Sequence, residues 1–140
     1  GRGILEAVGI DMDVRQGDVA ARGNFCTVNP GGLITDRRAG RIESQQAADL
    51  CKALDGQIID GIEFIVRPVR EHRFVVLMRS NETLSDEVKD TDPQQVGVAP
   101  LAAFVTSLRA ERTARAVNQF ITSATKILAG QKAANMILLR

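Results

Sequence analysis

Ile62-Glu63-Phe64-Ile65-Val66-Arg67-Pro68, followed after Val69-Arg70-Glu71-His72-Arg73 by Phe74-Val75-Val76-Leu77-Met78, is the stretch whose reading decides the fold. Branched and aromatic side chains at this density suit a pleated, half-buried surface, and runs of five residues are strand length rather than helix length. The spacing therefore predicts one strand from Ile62 to Val66, ended before Pro68, and a second from Phe74 to Met78, with Glu71-His72-Arg73 at the entry to the buried run.

Working outward, Ser44 is placed to cap a helix whose apolar positions Ala47, Ala48, Cys51, Ala53 and Leu54 recur at helical spacing and stop before Gly56. Further upstream, Val19 to Val28 reads as a strand, Asn29-Pro30-Gly31-Gly32 as a turn, and Leu33-Ile34-Thr35 as its returning arm. Residues 3 to 9 suggest a short helix ended by Gly9. Downstream, residues 80 to 100 form a polar, proline-containing connection, and a compact domain rarely keeps so long a loop without a use for it. From Leu101 to Leu128 the apolar positions Phe104, Leu108, Ala114, Val117, Phe120, Ile121, Ala124, Ile127 and Leu128 fall mostly on one helical face; Gly130 stops the helix and Met136 to Leu139 is a last strand. Strand, helix, strand, strand, helix, strand is the split βαβ order. The expected class is α+β: an antiparallel, ferredoxin-like sheet with two helices on one face and an extra β-hairpin arm, residues 1–140 forming a single domain.

A chain of 140 residues with 44% hydrophobic and 25% charged residues can bury one real core. No apolar run approaches the ~18 residues that would cross a bilayer, so no membrane partner is expected. A net charge of +1, five phenylalanines and no Trp or Tyr argue against nucleic acid, which needs a basic field and stacking platforms. Cys26 and Cys51 lack metal-site spacing, and His72 is the one histidine, so free buried thiols in a reducing cytoplasm are expected rather than a disulfide or a zinc site. The start at Gly1-Arg2-Gly3 and the end on Ala134-Asn135-Met136-Ile137-Leu138-Leu139-Arg140 read as those of a piece cut from something longer.

Chemistry concentrates in Asp36-Arg37-Arg38-Ala39-Gly40-Arg41. A guanidinium stays charged at any working pH and forks onto carboxylate or phosphate oxygens. Arg37, Arg38 and Arg41 around a glycine read as a site for a small multi-anionic ligand, with a solvated turn as the plain alternative. His72 beside Arg73 can donate to a phosphate or exchange a proton near neutral pH, although a lone turn histidine is often structural. Asp86, Glu87, Asp90 and Asp92 put four carboxylates in seven residues. They could bind calcium or magnesium, though without the EF-hand spacing, or orient the arginines of other loops, or simply be solvated. The nucleophile elbow, the phosphate-binding Walker loop and the dinucleotide fingerprint are all absent, so the chain reads as a ligand-holding domain without a complete catalytic machine.

The ordered set Gly1-Arg2-Gly3-Ile4-Leu5-Glu6-Ala7-Val8-Gly9-Ile10, Arg22-Gly23-Asn24-Phe25-Cys26-Thr27-Val28, Asp36-Arg37-Arg38-Ala39-Gly40-Arg41-Ile42, Glu71-His72-Arg73, the segment from Leu84 to Pro93, and the closing Ala134 to Arg140 resembles the archaeal-type cofactor-independent phosphoglycerate mutases of the alkaline phosphatase superfamily. The resemblance implies that this segment is the inserted, substrate-holding domain of a cytoplasmic isomerase of glycolysis and gluconeogenesis. It implies interconversion of 3-phosphoglycerate and 2-phosphoglycerate through a phosphoserine on a flanking phosphatase-like domain, with no 2,3-bisphosphoglycerate requirement. That domain would carry the serine and the divalent ions (Mn, Mg, Co or Zn), leaving this segment without metal and without activity by itself. Substrate-binding residues are then expected at Asn24, Asp36, Arg37, Arg38, Arg41, His72 and Arg73, with Asp86, Asp90 and Asp92 as hydroxyl-binding or arginine-orienting groups. Two other readings are an insert of another metal-dependent phosphotransferase or phosphohydrolase, and a non-catalytic, small-anion-binding regulatory domain. The long helix exposes an apolar face that could serve a homo-oligomer or the flanking domain.

Overall fold

The structure is a computed structural model that describes residues 2–84, 90–102 and 110–140. Its elements are α1 (Arg2–Gly9), β1 (Val19–Val28), β2 (Ile34–Asp36), a 3-10 turn (Ala39–Arg41), α2 (Ser44–Leu54), β3 (Gln57–Ile59), β4 (Ile62–Arg70), β5 (Arg73–Arg79), α3 (Glu111–Leu128) and β6 (Met136–Leu139). Strand order is β2-β1-β5-β4-β3, with β6 also on β1, and every pairing is antiparallel. The inner set β6-β1-β5-β4 is the expected split βαβ sheet, and the α+β class stands.

The period-two alternation of the strands sorts the core onto two faces. Phe25, Phe64, Val66, Phe74, Val76 and Met78 face α2 and α3, where they meet Leu50, Leu54, Val117, Phe120, Ala124 and Leu128. Phe64 and Phe120 stack at 4.5 Å and tie α3 to the sheet. Val75 and Leu77 point the other way, onto Ala7 and Ile4 of α1. Two helices therefore share one face as expected, and the third covers part of the opposite face. Gly3 makes that close approach possible, because a Cβ there would run into the Ala20 carbonyl.

Several boundaries differ from the sequence expectation. Leu101 and Ala102 are not helical, and among the described residues α3 begins at Glu111; Phe104 and Leu108 lie outside them. Ile127, expected on the buried face, is 41% exposed. Ser44 does not cap α2: Glu43 holds the cap position without a side-chain bond, and the Ser44 hydroxyl instead accepts from the Glu71 N–H at 3.1 Å. That bond anchors the β4–β5 turn to the start of α2. β4 runs through Pro68 to Arg70 rather than stopping at Val66, because β3 pairs only with Ile62–Phe64 and leaves the outer side of β4 at Pro68 without a strand that needs its missing N–H. β3 itself was not expected. Its signal is the two-residue Asp60-Gly61 turn, with positive φ at both positions, which matches the twist of the flanking strands.

Candidate functional site: an arginine-lined cavity

Asp36 builds the loop that follows β2. Its two carboxylate oxygens accept the N–H groups of Arg38 and Gly40, each at 2.8 Å. Those bonds hold Ala39, Gly40 and Arg41 at φ of 49°, 64° and 54°. Left-handed backbone at a non-glycine residue costs ~1–2 kcal/mol, so Ala39 and Arg41, on either side of a glycine that adopts it freely, need such a carboxylate together with the buried Ala39 side chain to hold them. Asp36 thus shapes the loop and does not line the cavity beside it.

That cavity, about 390 Å³, gathers side chains from four separate segments. Asn24 comes from β1; Arg37, Arg38 and Arg41 from the loop; Glu71 and His72 from the β4–β5 turn, with Arg73 at the start of β5; Arg140 from the residue after β6. Register explains the convergence. Asn24 lies opposite Arg73, the Phe25 N–H donates to the His72 carbonyl at 2.8 Å, and Arg140 and Arg22 exchange backbone hydrogen bonds of 2.8 and 2.9 Å. An adjoining cavity of about 260 Å³ shares Asn24, Arg73 and Arg140 and adds Arg22 and Glu6. Arg140, Arg22, Glu71 and Glu6 were not among the expected site residues. A lone arginine after an apolar strand carries no spacing signal of its own.

Five guanidinium groups against one lining carboxylate, Glu71, give the larger cavity a strongly positive lining, the charge and fork geometry that suit an anion. The Nε of Arg37 and the Nδ1 of His72 are both buried without a hydrogen-bond partner among the described residues. Burial lowers the His72 pKa below its ordinary 6.5; Arg73 pushes the same way, Glu71 opposes, and Arg38 and Arg41 add to the lowering. The imidazole is therefore mainly neutral at pH 7 and can donate or accept according to tautomer.

Asp92 stands behind the cavity with a fully buried side chain, its Oδ2 3.1 Å from Arg37 Nη2. Asp90 is exposed and away from the lining, and Asp86 lies outside the described residues. Among the described residues no three His, Cys, Asp or Glu side chains converge as a metal would require. No described helix is long and apolar enough to cross a membrane. Cys26 and Cys51 are free and buried, and burial pushes each thiol up to about 12, helped by Asp92 and Asp36 for Cys26 and by Asp55 for Cys51, where Arg67 opposes.

A family model described as 2,3-bisphosphoglycerate-independent phosphoglycerate mutase matches residues 1–134. The chain belongs to that family. A probable 2,3-bisphosphoglycerate-independent phosphoglycerate mutase from Aquifex aeolicus is 45% identical over the whole of this chain and 36% of its own length. One from Thermus thermophilus is 42% identical over the whole chain and 35% of its own. Among solved structures, the cofactor-independent phosphoglycerate mutase of Thermoplasma acidophilum superimposes with a TM-score of 0.90 at 34% identity, covering all of this chain and 40% of that one. The chain thus spans about a third of the length of the phosphoglycerate mutase relatives it matches.

Proposed function

We propose that this chain is the inserted, substrate-holding domain of a 2,3-bisphosphoglycerate-independent phosphoglycerate mutase. In this reading the complete enzyme, a cytoplasmic isomerase of glycolysis and gluconeogenesis, interconverts 3-phosphoglycerate and 2-phosphoglycerate through a phosphoserine. The flanking phosphatase-like domain supplies the serine and the divalent ions that stabilise the transferring charge. The observation that carries the proposal is the meeting of Arg37, Arg38, Arg41, Arg73 and Arg140 around one cavity of about 390 Å³. The volume is within the ~300–1,000 Å³ range of small-ligand sites.

The work this cavity does follows from what a mutase needs and a phosphatase does not. After the phosphoryl group leaves, glycerate must stay bound while its other hydroxyl is presented. A forked guanidinium on the carboxylate holds the acid through that interval, and the remaining arginines receive the phosphate end when it returns. Asn24 and neutral His72 are the uncharged polar groups in the lining, suited to the hydroxyls.

Titrating the 140-residue chain with 3-phosphoglycerate and following backbone amide NMR shifts tests the binding half; saturable shifts at residues 24, 37–41, 71–73 and 140 are expected. In the complete mutase carrying this segment, Arg38→Ala and Arg41→Ala should cut mutase activity at least tenfold while phosphatase activity on 3-phosphoglycerate persists. Absence of shifts at millimolar ligand together with unimpaired mutase activity refutes the proposal.

A further inference from the structure

Arg37 is set apart from the other loop arginines by what stands behind it. Arg38 and Arg41 are exposed, whereas the Arg37 side chain is one-third exposed and its Nη2 donates to a carboxylate that solvent does not reach. That carboxylate, Asp92, uses its second oxygen to accept the Gln94 N–H at 2.8 Å. It therefore faces the guanidinium and the backbone of its own segment, the strap of residues 90–94, and does not line the cavity.

The strap is fastened one residue earlier as well. The Thr91 N–H donates to the Leu139 carbonyl at 3.0 Å, and the Leu139 N–H donates to Thr91 Oγ1 at 2.9 Å. Leu139 immediately precedes Arg140, whose backbone pairs with Arg22. Two successive buried polar residues thus brace two cavity arginines that reach the site from different elements. We propose that Asp92 is a positioning residue: it fixes the plane of the Arg37 guanidinium so that its remaining N–H groups present a preformed fork to an anion in the cavity. The assignment rests on the reading of that cavity as a substrate site.

Two accounts of Asp92 predict opposite signs. If it served only as a counter-charge, removing it would leave the cavity more positive and anions would bind more tightly. If it positions Arg37, removing it releases a flexible side chain and a forked anion binds more weakly despite the added positive charge. The Nε of Arg37 is buried without a partner among the described residues, so this guanidinium keeps an unused donor beside the one that Asp92 holds.

The test has a ligand-free arm and a ligand arm, both on the 140-residue chain. In the unaltered protein, 15N relaxation at the side-chain Nε–Hε groups should show Arg37 more ordered than Arg38 and Arg41; equal order overturns the proposal without any variant. Asp92→Asn should bring Arg37 to the mobility of its neighbours, and unchanged order there overturns it too. In titrations with 3-phosphoglycerate, Asp92→Asn should weaken binding by roughly tenfold, about 1.4 kcal/mol. Binding equal to wild type or tighter overturns the proposal in favour of a counter-charge. In an Arg37→Met background the same substitution should add no further loss; a full loss there shows that Asp92 acts on the strap's folding instead of on Arg37. Should the unaltered chain bind no ligand while Asp92→Asn still frees Arg37, the positioning relation is supported and the failure lies with the binding half of the substrate reading.

Discussion

Replacing Gly23 with alanine puts a methyl group where the ring of Phe74 already stands. A Cβ at Gly23 would lie 2.7 Å from Phe74 Cδ2, and closer still to Cε2 and Cζ, where ordinary contact begins at 3.4 Å. The ring has nowhere to go: Phe74 is 1% exposed and packs on Phe25 with centroids 4.7 Å apart. Relief requires a shift of about 1 Å in a close-packed interior, and overpacking of this kind costs about 1–3 kcal/mol. Taking about 2 kcal/mol, a domain of this size should lose roughly 6 °C in Tm. Urea denaturation of wild type, Gly23→Ala, Phe74→Leu and the double variant measures the coupling directly. The smaller side chain should accommodate the methyl, so the double variant should be at least ~1 kcal/mol more stable than additivity allows. Asn24 and Arg73 flank the clash, so affinity for 3-phosphoglycerate should fall as well. A Gly23→Ala variant within about 0.5 kcal/mol of wild type, or strict additivity with Phe74→Leu, would falsify the steric argument.

The half-buried Asp18–Arg79 pair, 2.8 Å apart with the Asp18 side chain 2% exposed, should make the fold acid-sensitive. Burial alone would raise the Asp18 pKa, but the bonds from Arg79 and the Arg15 N–H, and the charges of both arginines, bring it below 3.8. A depressed folded pKa gives stability that is present above pH 3.8 and lost as pH falls through the folded value, so Asp18→Asn should flatten the denaturation midpoint against pH in that window. The His72 imidazole, followed by NMR, should titrate below 6.5 in the free chain, and phosphate in the cavity should raise its midpoint. Because the unfolded chain takes up that proton more readily, stability should fall as pH drops below 6.5; a midpoint at or above 6.5 without ligand contradicts the burial argument. Phe120→Ala, which removes the ring stacked on Phe64, should cost about 3–5 kcal/mol by denaturant titration, and a loss under 1 kcal/mol would mean that α3 is not held by that pair. With both thiols pushed up to about 12, Cys26 and Cys51 should resist a thiol reagent at pH 8 until the chain unfolds; prompt labelling of either in native buffer would contradict their burial.

Much of the fold was legible because its signals are local. The apolar runs Ile62–Val66 and Phe74–Met78, the Asn29-Pro30-Gly31-Gly32 turn and the helical spacing of Ala114, Val117, Phe120 and Ala124 each depend on residues within a few positions of one another. The Asp60-Gly61 turn was equally local and reveals β3. Ser44 shows where such reading stops: a residue suited to capping gave its hydroxyl to Glu71, 27 positions away, and that preference could not be weighed without the fold.

The same division applies to the site. Sequence alone singled out Arg37, Arg38 and Arg41 around Gly40, and the Glu71-His72-Arg73 turn, because guanidinium and imidazole chemistry is written in residue type. Whether those segments meet was decided by strand register, which sets Asn24 opposite Arg73 and carries Arg140 alongside Arg22. Asp36 and Asp92 look alike in the sequence, yet one folds its own loop through two backbone N–H groups and the other braces Arg37 across 55 residues. A short carboxylate bonds whatever donor lies within about 3 Å, and only the tertiary structure determines which donor that is.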